Sequence, residues 1–482
     1  MSRGCVVGID IGTTATKGVA IDPTTGSVVT SARAEYPTRS RQPGWMEQDA
    51  ADWLLAAQTV LGRLRSEGVE ILGLGFSGQM HGLVCLDDAG QVIRPAILWN
   101  DDRSARECSA IEARLGIERL VQLSGNRALP GFTAPMLIWM RDHEPALYAR
   151  IRRVALPKDY VRDALIGGHV SDVADASGTL LVNVSARQWS VELLDELAIP
   201  RTWLPELAES TDRVGSLDGV PVAAGGGDQA AAAVGAGILG PGPLSIALGT
   251  SGVVLAALDH FAASGRGGVH AFCHAVPERW VVMGVMLSAA GSLAWYHDTV
   301  LPQSGYDQMV DEARSSPPGS EGLVFLPYLS GERTPHADPS ARGAFAGLSL
   351  GHTRGALTRA VLEGVAFGLA DCLASVRSVG VEAARVRASG GGARSRLWLQ
   401  IIASVLELPV EVMSSEQGSA FGAALLGGVA AGVYTSLVEA ATLCVHVAEV
   451  IDPVAGWTGP YREGRRRFRS LYPALRSTAE VT

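Results

Sequence analysis

The 482-residue sequence lacks the features that would send a protein outside the cell, into a membrane or onto nucleic acid. Its six cysteines (Cys5, Cys85, Cys108, Cys273, Cys372, Cys444) are scattered, with no Cys-x-x-Cys spacing. That argues against a zinc site and favours reduced thiols over a disulfide framework. The N-terminus lacks the basic segment, apolar run and small-residue cleavage site of a signal peptide, so a cytoplasmic location is expected. The most apolar region, residues 220–258, is interrupted by Asp228, Gln229, Pro241 and Pro243. It does not offer the roughly 20 uninterrupted apolar residues that a membrane helix needs. Positive charge is also in deficit: 40 Lys and Arg face 49 Asp and Glu, a net charge of −9. General binding to nucleic acid or an anionic membrane is not expected, and any anionic ligand has to be held locally. Finally, none of the glycine-rich turns has the Walker spacing of a P-loop.

What is present starts with length. A chain this long exceeds the size at which one core keeps growing, so two domains with a cleft between them are expected. An internal repeat supports this. "VVGIDIGTTATKGVAI" near the N-terminus and "PLSIALGTSGVVLAALD" at 243–259 share one plan, a β-rich run, a Gly-Thr turn with a further hydroxyl residue, and a second β-rich run. Both read as hairpins that open the halves of a duplicated fold, divided near "GILGPGPL" into residues 1–242 and 243–482. In the first half β-like runs ("ILGLGFSG", "RVALPKD") alternate with helix-like ones ("DWLLAAQTVLGRLRSEG", "YVRDALIG"). In the second, "LTRAVLEGVAFGLADCLASVRSVG" reads as a long helix and "RVRASGGGARSRLWLQIIASVL" as strand, glycine turn and helix. Both halves are α/β. The basic C-terminal "YREGRRRFRSLYPALRS" reads as a docked helix with Tyr461, Phe468, Leu471 and Tyr472 on one face and a solvated basic side.

Asp10 occupies an apolar position of the first strand, just before the Gly-Thr-Thr turn. Turns rich in Gly, Thr and Ser can aim backbone N–H groups and hydroxyls at phosphate oxygens. Gly12, Thr13, Thr14 and Lys17 then form one candidate ATP loop and Gly249, Thr250 and Ser251 the other, although either alone could be an ordinary tight turn. A carboxylate beside such a loop repels the nucleotide unless a divalent cation lies between, so Asp10 reads as an Mg²⁺-orienting residue. Asp228 in "AAGGGDQAAAAVG" reads as the general base for an attacking hydroxyl and as a second carboxylate for the metal. It sits near a helix N-cap, and the glycines before it are read as room for a ligand. "SGQMHG" places Gln79, Met80 and His81 on a loop, where the histidine could be merely structural. Trp99 and Asp101 in "LWNDDRS" suit stacking on a sugar and bonding its hydroxyls, or equally a capped helix start. Gly391, Gly392 and Arg396 in "ASGGGARSRLW" suit packing against a nucleotide, which by itself is a weak signal.

Taken together, "GIDIGTTATKG", "SGQMHG", "LWNDDR", "PGFTAPMLIWM", "LPKDY", "GGGDQAAAAVG", "LGTSG", "LPYLSGERTPH", "GLSLGHTRGALTRAVLEGVAFGL" and "GGGAR" follow the order found in FGGY carbohydrate kinases. The sequence resembles that family from about residue 4 to about residue 475, and within it most resembles bacterial members that act on D-xylulose. The resemblance implies two actin-like, ribonuclease-H-type domains, with sugar held mainly by the first and nucleotide by the second. It implies transfer of phosphate from Mg-ATP to the 5-hydroxyl of D-xylulose. It also implies Asp228 as base, Asp10 as the metal-associated carboxylate, and Met80, His81, Asp228 and Gln229 against the sugar. Two positions depart from the pattern. Gln229 stands where many xylulose-specific members have Asn, and Met136 stands where the family usually has Lys. Other pentuloses or polyols (ribulose, glycerol) are the alternative substrates, and a sugar-independent actin-like ATPase is the rival class. Self-association as a homodimer is left open.

Overall fold

The computed structural model describes residues 3–265, 267–414 and 418–479. The chain forms two compact units: residues 1–240, 257–281 and 417–446 make the first, and residues 241–256, 282–416 and 447–482 the second. The compact units therefore do not follow a single cut in the chain, because two later stretches pack with the first.

The sheet of the first unit contains β1 (Arg3–Ile11), β2 (Ala15–Ile21), β3 (Val28–Glu35), β4 (Val69–Gly78), β5 (Arg213–Leu217) and β6 (Val220–Ala223) in the order β5-β6-β4-β1-β2-β3, with the short β7 (Gly226–Gly227) also paired to β4. β1 and β2 form the expected antiparallel hairpin, while β1, β6 and β7 each run parallel to β4. In the second unit, β8 (Gly242–Leu248), β9 (Gly252–Leu258), β10 (Trp280–Met286), β11 (Ala383–Ser389), β12 (Val410–Met413) and β13 (Val447–Ile451) are ordered β10-β9-β8-β11-β12-β13. Again a hairpin, β8–β9, is followed by a parallel partner, β11. The repeated sequence plan corresponds to a repeated topology.

Period-two alternation along β1 explains how it can carry a carboxylate. Val7, Ile9 and Ile11 face one side, in a core with Trp53, Val60 and Leu64 of the helix Ala50–Ser66. Val6, Gly8 and Asp10 face the other. There the helix Ser419–Ala430 lies so close that a Cβ on Gly8 would stand 1.8 Å from the Ala420 carbonyl, and one on Gly75 of β4 1.9 Å from that of Ala423. Asp10 lies one alternation beyond Gly8, at the carboxyl end of the strand. It is half-buried rather than part of the core.

Two expectations are corrected and one is met. "RVALPKD" is not a strand throughout: Arg153–Ala155 is extended, and Pro157 starts the helix Pro157–Ile166 from a first-turn position that proline favours. Asp228 does stand beside a helix N-cap, as expected: it is the first residue of the helix Asp228–Gly235, Gly227 holds the cap position, and no side chain makes the capping bond. The C-terminal helix Thr458–Ala479 does bury Tyr461 and Phe468, but its basic side is not simply solvated. Arg465 and Arg469 bond Asp371, Arg462 bonds Glu407, and Arg467 donates to the Gly322 carbonyl.

Candidate active site

β1, β4 and β7 bring the two key carboxylates together. Asp10 pairs in register with Ser77 of β4, which pairs on its other side with Gly226 of β7. These strands are parallel, so Asp10 and Asp228 leave the sheet at the same carboxyl-terminal edge, where open α/β sheets place ligands. Two strand spacings separate the backbones at Asp10 and Gly226, about 10 Å.

Both carboxyls are held above their ordinary range. Burial raises Asp10, opposed by a 2.9 Å hydrogen bond from the Ser77 hydroxyl and by the charge of Lys17, its register partner on β2. Asp228 is pushed up to about 7, first by burial and then by the negative charge of Asp10, while the backbone N–H and side-chain amide of Gln229 pull it down. A carboxyl poised near neutrality is suited to accepting a proton at physiological pH. Two neighbouring half-buried carboxylates that repel one another also suit a divalent cation. Among the described residues no group of three or more His, Cys, Asp or Glu forms a metal cage. Mg²⁺, which is commonly bound through one or two carboxylates, retained waters and substrate phosphates, fits this sparse donor set.

The Gly12–Thr14 loop is braced from behind. The Tyr36 hydroxyl donates to the Gly12 carbonyl at 2.6 Å, Gln48 Nε2 donates to that of Thr13 at 2.6 Å, and the Tyr36 N–H reaches that of Thr14 at 3.4 Å. Turning the carbonyls inward keeps their negative ends away from an approaching phosphate. The Trp99 indole donates to the Thr13 hydroxyl at 3.0 Å, and the residue stays 41% exposed. Asp101, in contrast, is buried and engaged: its oxygens accept from the Arg103 guanidinium, the Arg103 N–H and the Met46 N–H. Its structural work is to hold the turn that carries Trp99.

Met80 packs against Gly227, the residue before Asp228, and His81 follows Met80 in the chain and packs against Gly178. A Cβ on Gly227 would stand 2.8 Å from Met80 Cγ and 3.1 Å from Asp175 Oδ1, and one on Gly178 2.8 Å from His81 Nδ1. His81 occupies the left-handed region at φ 71°, an uncommon conformation for a non-glycine residue. It is held there by stacking on Phe132 at 4.2 Å, by Nδ1 against the Gly178 carbonyl at 2.6 Å, and by the Thr133 hydroxyl donating to its backbone carbonyl at 2.7 Å. The glycine run is also explained differently from the sequence reading. Gly225 has φ 90° and its Cβ would strike the Phe76 carbonyl, and Gly227 is required by Met80, so only Gly226 keeps ordinary room. Met136, the position where the resemblance leads one to expect lysine, is fully buried in the helix Thr133–His143.

Sequence reasoning missed the layer behind Asp228. Lys158 is fully buried, 2.5 Å from Asp159, 2.6 Å from Asp172 and 3.5 Å from Asp175. Burial works against its charge, but the three carboxylates overcome it and hold the ammonium charged. Asp175 is raised well above its ordinary value, first by burial, with Asp172, Asp159 and Asp228 adding to it and Lys158 opposing. "LPKDY" marked part of this layer, but nothing in the spacing linked it to Asp172 and Asp175.

In the second unit the Gly249–Ser251 turn repeats the inward-carbonyl arrangement. The Ala290 N–H donates to the Gly249 carbonyl, and the N–H groups of Ala289 and Gly291 to that of Thr250, at 2.8–3.1 Å. These carbonyls thereby satisfy the open N-terminus of the helix Ala290–Val300. At the end of β11, Gly390 has φ 85° and is crowded by Leu248, and a Cβ on Gly392 would stand 3.0 Å from Leu248 and Trp398, whereas a Cβ on Gly391 would meet nothing within 4 Å. Arg396 begins the helix Arg396–Leu406 and pairs with Glu449.

The duplicated sheet topology, with carboxylates at one strand edge and a Gly-Thr turn in each unit, defines an α/β fold of the actin-like ATPase class. The chain belongs to the FGGY family of carbohydrate kinases, whose N-terminal domain model matches residues 5–235 and whose C-terminal domain model matches residues 244–431. It is 40% identical to the xylulose kinase of Escherichia coli strain K12, covering 97% of this chain and 99% of that one. It is 39% identical to the xylulose kinase of Lactococcus lactis, covering 92% and 91%. Among solved structures, the xylulose kinase of Rhodospirillum rubrum superposes with a TM-score of 0.91 at 31% identity, covering 98% of this chain and 99% of that one. Among the described residues no helix is long and apolar enough to cross a membrane.

Proposed function

We propose that this protein is a cytoplasmic kinase that transfers the γ-phosphoryl group of ATP to the 5-hydroxyl of D-xylulose, giving D-xylulose 5-phosphate and ADP. The observation that carries the mechanism is Asp228, at the carboxyl edge of the first sheet, directly after the glycine that packs on Met80, with its carboxyl at about 7. The choice of sugar is supported by near full-length similarity to proteins named xylulose kinases.

Asp228 accepts the proton of the attacking hydroxyl as the bond to phosphorus forms. Met80, His81 and Gln229 hold the ketose so that this hydroxyl faces the carboxylate, and Trp99 offers a face for the sugar. Gly12, Thr13, Thr14 and Lys17 bind phosphate oxygens, as do Gly249, Thr250 and Ser251 of the second unit. Gly391 and Gly392 border the nucleoside, with Arg396 nearby on the helix that follows. Asp10, with Asp228 as second donor, would hold Mg²⁺, which supplies charge neutralisation of the phosphates when bound.

Replacing the base tests this assignment. Asp228→Asn keeps size and much of the hydrogen bonding but removes basicity. It should lower kcat by about 10² to 10⁴-fold while calorimetry shows ATP binding near normal. A fully active Asp228→Asn protein would remove the base from the mechanism.

A further inference from the structure

"LPYLSGERTPH" contains a cation that the mechanism above does not use. The Arg333 side chain is half-buried, and among the described residues its guanidinium has no hydrogen-bonded or ion-paired partner, only the nearby charge of Glu332, which its backbone N–H bonds. Its neighbour Glu332 is a poor counter-charge. That side chain is buried, with Oε1 accepting from the N–H groups of Leu287 and Arg333 and Oε2 left without a partner. Burial pushes the Glu332 carboxyl up to about 8 and the Arg333 guanidinium below its ordinary value. A partly buried guanidinium that keeps its charge without an acceptor is costly unless an anion is meant to complete it.

Location indicates which anion. Residues 330–334 are fastened along residues 285–288 by several bonds. The Thr334 N–H donates to the Val285 carbonyl at 2.9 Å, the Val285 N–H to the Thr334 hydroxyl at 3.1 Å, the Leu287 N–H to Glu332 at 3.1 Å, and the Ser288 and Ser330 hydroxyls meet at 3.2 Å. The next residues, 289–291, are those whose N–H groups hold the Gly249 and Thr250 carbonyls. Arg333 is therefore fixed to the same support as the second Gly-Thr turn, within the same unit.

We infer that Arg333 is an anchor for the polyphosphate of the nucleotide, an inference that rests on the phosphoryl-transfer reading above. A guanidinium suits the task because its planar fork can give two parallel hydrogen bonds to one phosphoryl group. The same chemistry could instead serve the phosphate of the sugar product, so the test has to separate the two.

Calorimetric titration of the wild type, Arg333→Gln and Arg333→Lys with magnesium and ATP, with AMP, and with D-xylulose 5-phosphate does so. Arg333→Gln should weaken ATP by about 10- to 100-fold and leave AMP and the sugar phosphate within about twofold of wild type. Arg333→Lys, which keeps the charge but loses the fork, should recover part of the ATP affinity. If the Gln variant does not fold, the Lys variant alone decides, through a smaller loss of ATP affinity with AMP unchanged. Wild-type ATP affinity in the variants, an equal loss of ATP and AMP, or a loss confined to the sugar phosphate would each overturn the inference alone. Failure of the wild type to bind ATP would overturn the phosphoryl-transfer reading and this inference together.

Discussion

Asp228 and Asp10 are expensive residues to keep where they are. Each is half-buried, each has its ionised form opposed by burial, and Asp10 further raises Asp228 to about 7. As a base, Asp228 works only when ionised. Mg²⁺ at the pair opposes the rise caused by Asp10, so kcat/KM for the sugar should fall on acidification with a midpoint at or below about 7, and level off above it. A rate that does not fall as pH is lowered to about 4, in a range where the protein stays folded, would contradict Asp228 as the titrating base. Stability should show the opposite trend. A carboxyl raised from 3.8 to about 7 binds its proton more tightly in the folded state. Its contribution to stability is thus lost as pH rises between those two values. Asp228→Asn removes that loss. In buffer without nucleotide or metal its Tm should exceed that of wild type at pH 8, and the gap should close as pH falls towards 4. A Tm below wild type at pH 8 would mean that the carboxylate stabilises the fold instead.

Elements position these residues through close backbone approach, and here the sequence could be read only in part. The hairpins, the Gly-Thr turns, the placement of Asp10 at a strand end and that of Asp228 near a helix start were legible because period-two alternation, turn chemistry and helix-start signals are local. The partner of β1 on its Asp10 face was not, since the helix Ser419–Ala430 comes some 400 residues later and no local pattern links them. The buried layer of Lys158, Asp172 and Asp175 was hidden for the same reason. Glycine roles were misassigned where packing and ligand access leave the same residue in the sequence, as at Gly225 and Gly227. Two substitutions separate those causes. Gly8→Ala drives a Cβ into the Ala420 backbone and should cost about 1–3 kcal/mol or more, read from the denaturant midpoint. Gly391→Ala meets no protein atom within 4 Å, so it should leave that midpoint nearly unchanged while raising KM for ATP. A destabilised Gly391→Ala protein, or one with normal KM, would assign Gly391 to the fold.

For the whole molecule, the duplicated topology accounts for two Gly-Thr turns, one in each compact unit. The turns alone do not separate a sugar kinase from a sugar-independent ATPase of the same fold class. What separates them is the fate of the phosphoryl group. Phosphorus NMR of a reaction containing the protein, Mg-ATP and D-xylulose, run beside D-ribulose and glycerol, reads that fate directly. The account predicts ADP and a phosphate ester on C5 of D-xylulose in equal amounts, with D-xylulose consumed fastest of the three. ADP accompanied by inorganic phosphate at the same rate with and without sugar would contradict it.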